Sequence, residues 1–188
     1  MLPISMKNSK YYKYREETDM GLSKVRVHIK VSDHSMQKEI EQYIKELPTT
    51  VIADKIENLE IRSLTDSAVI NPDRLVYENG ILSTDKMGFE DFEQTGKEIS
   101  SVFHTPVMAA LVFDSDVAVV QVYQGGQTVL EEVYSIDMKK SMDKERFIQI
   151  FGFSCEAEAL EEVFAMENVI FAEAVLQKAG EIIGVNLI

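Results

Sequence analysis

Between Val107 and Tyr134 three runs of strand-forming residues, VMAALVF, VAVVQVY and TVLEEVY, are separated only by Asp-Ser-Asp and by Gln-Gly-Gly-Gln. Connections this short cannot house the crossover that parallel neighbours need, so the runs must fold back on one another as an antiparallel meander. The turn chemistry agrees. Aspartate side chains bond to their own backbone in tight turns, and a Gly-Gly pair accepts positive φ without strain. The first run is apolar on both alternating faces, which places it at the centre of a sheet covered on both sides.

The rest of the chain supplies further elements. KVRVHIKV alternates, with Val25, Val27, Ile29 and Val31 on one face and Arg26, His28 and Lys30 on the other, as in a strand with one wet face. SDHSMQKEIEQYIKELP follows as an amphipathic helix with Ser32, Asp33 or Ser35 as its cap and Pro48 as its stop. NLEIRSL, with Leu59 and Ile61 alternating, reads as a strand, and RLVYENGILST as a hairpin turning at Asn79-Gly80. A helix from about Phe89 to Phe103 carries Gly96 on its apolar stripe, which permits a close approach to the sheet. The last fifty residues read as three helices. Asp143 caps the first and Gly152 closes it, Ser154 caps the second, and the third bears Phe171, Val175, Ala179 and Ile183.

The order β-α-β-β-α-β-β-β-α-α-α gives an α+β fold with a mainly antiparallel sheet. Its first six elements suggest a ferredoxin-like split β-α-β core, extended by the β-meander and followed by a C-terminal helical segment. One domain over 23–188 is expected after a loosely docked N-terminal arm, 1–22. In that arm Lys7, Lys10, Lys13 and Arg15 alternate with tyrosines before Glu16, Glu17 and Asp19 reverse the charge.

The net charge of −13 is unevenly spread: residues 1–50 carry a balance of +2 and residues 51–188 a balance of −15. An acidic body repels phosphate backbones, so nucleic-acid binding by the main domain is not expected, whereas a basic protein would be steered toward it. A single cysteine precludes an internal disulfide and fits a reducing compartment. The N-terminal stretch lacks the apolar run of a signal peptide, and the longest apolar run, Val107–Phe113, is too short to span a bilayer. A cytoplasmic protein without membrane contact is expected.

Two short patterns carry chemical associations. LVFDSDVA resembles the first motif of haloacid-dehalogenase-type phosphatases. That resemblance implies Asp114 as nucleophile and Asp116 as general acid/base, with Mg²⁺ bridging to phosphate. Glycosyltransferases also use Asp-x-Asp, to hold a metal against a nucleotide sugar. QGGQ resembles the Gly-Gly-Gln tip of peptide-chain release factors. Both patterns sit where the meander must turn, and they read here as its two turns; no cofactor is expected.

The remaining inventory is sparse. Cys155 is placed in the first turn of a helix, next to Glu156 and Glu158, which oppose thiolate formation. His28, His34 and His104 lack ligand spacing. The densest acidic set is Glu156, Glu158, Glu161 and Glu162, with Glu131-Glu132 upstream. Residue 158 shares a helical face with 161 and 162, which suits a basic partner or a loosely held Ca²⁺ ion. The expectation is therefore a non-enzymatic, acidic interaction protein that masks a basic partner, as an immunity or inhibitor protein would. The alternatives are a small-ligand sensor or an oligomeric accessory domain whose C-terminal helices form a pocket or a homodimer face, and then an Asp-x-Asp phosphoryl-transfer enzyme using Asp114 and Asp116.

Overall fold

The computed structural model describes residues 23–47, 75–89, 91–136, 138–167 and 169–188. The expected arm 1–22, the NLEIRSL strand and Pro48 lie outside them. The described elements are β1 (Lys24–Lys30), α1 (His34–Glu46), β2 (Leu75–Glu78), β3 (Ile81–Thr84), α2 (Phe92–Val102), β4 (Val107–Phe113), β5 (Val117–Gln124), β6 (Gln127–Tyr134), β7 (Lys139–Lys140), α3 (Lys144–Phe151), α4 (Ala157–Phe164) and α5 (Glu173–Ile183). All seven strands join one sheet in the order β2-β3-β1-β4-β5-β6-β7, with every pairing antiparallel. The fold is α+β, and the twice-apolar β4 is the middle strand.

The turns form where the residues demand them. Asn79 and Gly80 both take positive φ, 51° and 77°, between β2 and β3. Gly125 and Gly126 do so between β5 and β6, at 56° and 80°. Asp33 caps α1, its Oδ1 accepting from the backbone N–H groups of Ser35 and Met36. Asp143 caps α3 through Arg146 N–H, and Gly152 closes that helix in the left-handed conformation.

Helices cover both faces of the sheet. Ile40 and Ile44 of α1 and Phe92 and Ile99 of α2 pack with Val25, Val27, Ile29, Ala109 and Val119 in one core. Phe147 and Phe151 of α3, Leu160 and Val163 of α4, and Val175, Leu176 and Ile183 of α5 pack with Met108, Ala110, Val120 and Val122 in the other. The C-terminal helices thus lie on the face opposite α1 and α2.

That placement overturns one expectation. The Arg26-His28-Lys30 face of β1 is not wet: Arg26 is 5% exposed and His28 0%. The alternation is real, but β1 lies inside the sheet between β3 and β4, and the segment that covers its polar face comes from the far end of the chain. Smaller differences concern helix ends. Ser154 does not cap α4, which starts at Ala157 after Glu156. Cys155 therefore precedes that helix rather than lying in its first turn. Phe89 and Phe171 fall outside α2 and α5, and Phe171 is 56% exposed. The two-residue edge strand β7 carries no sequence signal, because its residues, Lys139 and Lys140, are not strand-formers.

Gly96 is set by contact. A Cβ built there would lie 2.6 Å from Cε2 of Tyr123, a ring wholly buried between α2 and β5. Alanine raises helix propensity by about 1 kcal/mol over glycine, but here it overpacks. Gly96→Ala is expected to destabilise by about 1–3 kcal/mol, measured by urea unfolding, and Tyr123→Leu in the same chain to restore part of the loss. A stabilised single variant would show that the α2–β5 spacing is not held by this contact.

Candidate functional site

The polar face of β1 is held by paired groups. Arg26 meets Asp85, just past β3, in a two-pronged contact, Nε to Oδ1 at 2.5 Å and Nη2 to Oδ2 at 2.8 Å. Its Nη1 also donates to the backbone oxygen of Asn186 at 3.3 Å. His28 Nδ1 lies 2.8 Å from Ser83 Oγ, and its Nε2 lies 3.4 Å from the Leu187 carbonyl. A carbonyl only accepts, so Nε2 carries the proton and Ser83 O–H donates to Nδ1. Lys30 Nζ donates to the Ile150 carbonyl of α3 at 2.9 Å.

Burial and the Arg26 charge pull the His28 pKa down to about 3, outweighing the Leu187 carbonyl and Asp85. The imidazole is neutral in the fold. A hydroxyl in reach of an imidazole is the geometry of a nucleophile and its base. Here both side chains are buried and the Leu187 carbonyl occupies the other ring nitrogen, so the pair locks the tail to the sheet.

A second polar layer lies on β6. Glu132 points toward the C-terminal helices, where its Oε2 accepts from Lys144 Nζ at 2.5 Å and from Met142 N–H at 2.8 Å. Burial raises the Glu132 pKa against the pull of Lys144. On the opposite face Gln121 Nε2 donates to Glu131 Oε1 at 2.7 Å, and the Tyr123 hydroxyl donates to Gln121 Oε1 at 2.7 Å. Lys140 pairs with Glu131 Oε2. Glu131 and Glu132 are thus engaged inside the fold, on opposite faces of one strand, and do not converge with Asp114 or Asp116.

Asp114-Ser115-Asp116 is the β4–β5 turn. Asp114 and Ser115 take left-handed φ of 55° and 57°, and Asp116 N–H closes on the Phe113 carbonyl at 3.1 Å. The chain then returns antiparallel as β5, in place of the crossover helix that the phosphatase resemblance implies. The turn is docked against α5. The Ser115 carbonyl accepts from Ala172 N–H at 2.7 Å, and Ser115 Oγ donates to Glu173 Oε1 at 3.2 Å. Glu173 Oε2 is buried with no hydrogen-bond partner among the described residues. Among these residues no group of three or more His, Cys, Asp or Glu side chains is placed to hold a metal ion. Gly125-Gly126 is likewise a turn, and Gly126 N–H donates to Ser100 Oγ of α2 at 3.0 Å.

The four carboxylates singled out in the sequence stay on the outside. Glu156, Glu158, Glu161 and Glu162 are all exposed on α4 or at its start, and none of their carboxylates has a hydrogen bond or ion pair to another described residue. Cys155 is half-buried, and burial together with Glu156 raises its thiol pKa, the reverse of a reactive cysteine. His34 and His104 are exposed and lie at the start of α1 and past the end of α2. An open cleft of about 590 Å³ is lined by Glu78, Asn79, Gln177, Glu181 and Asn186 among others. No described helix is long and apolar enough to cross a membrane. No family model matches the chain, and neither a curated protein nor a solved structure shows significant similarity to it.

Two expectations follow. His28 has a folded pKa depressed to about 3 against 6.5 when unfolded, so between those values the unfolded chain binds more protons and stability falls as pH falls. Urea unfolding between about pH 6.5 and 5, where most carboxylates stay ionised, should show a loss approaching about 1.4 kcal/mol per pH unit. His28→Gln should flatten that slope; an unchanged slope in the variant would place the proton uptake elsewhere. For the turn, Asp114→Asn/Asp116→Asn should leave the response of the melting temperature to Mg²⁺, Mn²⁺ and Ca²⁺ at the general salt effect seen in the parent chain. A metal-dependent rise that only the parent shows would restore the phosphoryl-transfer reading.

Proposed function

We propose that this chain is a non-enzymatic binding protein of the cytoplasm whose acidic surface masks a basic protein partner. The observation that supports this reading is the contrast between inside and outside charges. The buried carboxylates of Asp85, Glu131 and Glu132 each meet a cation, while the carboxylates of Glu156, Glu158, Glu161 and Glu162 meet none among the described residues. Carboxylates left in solvent without counter-charge attract a cationic surface over about a Debye length and speed its encounter. The net charge of −13 acts in the same direction. The single cysteine, with its thiol held protonated, fits a reducing compartment. An immunity-type or inhibitor-type role is the form of masking that this reading favours.

The test compares three full-length chains binding a lysine-rich peptide of about ten residues at several salt concentrations. The first is the parent. The second carries Glu156→Gln, Glu158→Gln, Glu161→Gln and Glu162→Gln. The third carries Glu39→Gln, Glu46→Gln, Glu78→Gln and Glu181→Gln, which removes the same charge from exposed positions elsewhere. The α4 variant should lose several-fold in association rate and much of the salt dependence, and the control far less. Equal losses in both would reduce the acidity to bulk solubility and sink the reading.

A further inference from the structure

The described residues between α4 and α5, 165–167 and 169–172, lie at one end of the sheet. Their first anchor is the Met166 carbonyl, which accepts from the Tyr134 hydroxyl at the end of β6 at 3.0 Å. Their second is Ala172 N–H, bonded to Ser115 in the β4–β5 turn. Between these anchors Ile170 is 81% exposed and Phe171 56%, and Ile136, two residues beyond Tyr134 in the β6–β7 turn, is 87% exposed. These are three of the five large apolar side chains exposed among the described residues, and all three lie at the same end of the sheet. Single exposed apolar residues need no explanation, but several gathered on loops pinned to a rigid sheet resemble a contact anchor.

Charge surrounds the anchor. Asp116 and Glu167 are exposed beside it, and the loop continues from α4 with its exposed Glu161 and Glu162. Lys139, over the Tyr134 ring, and Lys178, beside Met166, also lie near the loop, and Lys24 opens β1 at the same end of the sheet. We propose that Ile136, Ile170 and Phe171 form the apolar anchor by which this protein docks a basic partner, seated in an apolar cleft of that partner whose rim carries Lys or Arg. The proposal rests on the reading above for the sign of the partner's rim, and on the exposed apolar triad for its position. A second copy of this chain fits less well. A two-fold contact would set Asp116 and Glu167 near their own images, with like charges facing one another.

The experiment selects displayed random peptides on the immobilised full-length chain, then titrates the enriched peptides calorimetrically at about 50 mM and about 500 mM NaCl. The enriched peptides should carry an aromatic or large aliphatic residue next to Lys or Arg. Ile136→Ser/Ile170→Ser/Phe171→Ser removes side chains that are all more than half exposed, so its melting temperature should stay near that of the parent. It should weaken binding by about tenfold or more at both salt concentrations. Glu158→Gln/Glu161→Gln/Glu162→Gln should weaken binding at low salt only. No enriched peptide, or peptides indifferent to the serine variant, would overturn the anchor. If the serine variant abolishes binding and the glutamine variant is neutral at both salts, the anchor stands and the acidic reading fails. A concentration-dependent dimer in sedimentation, lost in the serine variant, would assign the surface to a second copy and overturn the heterotypic proposal.

Discussion

The fold depends on the neutralisation of Arg26 inside the sheet. An uncompensated guanidinium at 5% exposure would disfavour any arrangement that placed β1 between β3 and β4. The two-pronged contact with Asp85 makes that position tolerable, and the backbone oxygens of Asn186 and Leu187 accept from Arg26 Nη1 and His28 Nε2. The C-terminal residues are therefore part of the sheet's polar accounting and not an appendage. Val185 and Leu187 are buried with them, and a Cβ at Gly180 would collide with the Val185 carbonyl at 2.6 Å, so the tail folds back closely over α5.

The same device recurs on β6. Glu132 and Glu131 are adjacent and point to opposite faces, Glu131 engaged by Lys140 of β7 and Glu132 by Lys144 at the start of α3. Buried pairs of this kind do not add much net stability over apolar residues of similar volume, but they discriminate strongly against registers that leave one partner alone. In an antiparallel sheet a slip by one residue exchanges the two faces. A slip of β6 would strand both glutamates at once. This polar pinning complements the tight turns at Asn79-Gly80, Asp114-Ser115 and Gly125-Gly126, which fix register locally.

Inside the described fold Asp85, Glu131 and Glu132 are each paired with a cation, and the described turns are docked. The Asp-Ser-Asp turn has its serine occupied by α5, and the Ser83–His28 pair is sealed by the tail. Among the described residues, the carboxylates of α4 and the apolar side chains Ile136, Ile170 and Phe171 face outward near one another in the chain's C-terminal half. The proposed partner would meet this acidic and apolar end of the sheet, whose loops are held by the Tyr134 and Ser115 contacts.

The sequence by itself determined what depends on near neighbours. The three turns, the Asp143 cap, a cap for α1 among Ser32, Asp33 and Ser35, the Gly152 stop, the twice-apolar β4 and the tight seat of Gly96 were legible, because turn chemistry, capping and periodicity act over a few residues. The exposed Glu156–Glu162 set was legible for the same reason. Tertiary structure alone decided that the polar face of β1 is interior. Alternation is identical for a strand facing water and one facing a paired polar layer, and the cover comes from residues 160 positions away from Arg26. It also decided that Ile136, Ile170 and Phe171 share one end of the sheet. No local pattern links a β-turn to a helix–helix loop until Tyr134 and Ser115 pin that loop in place.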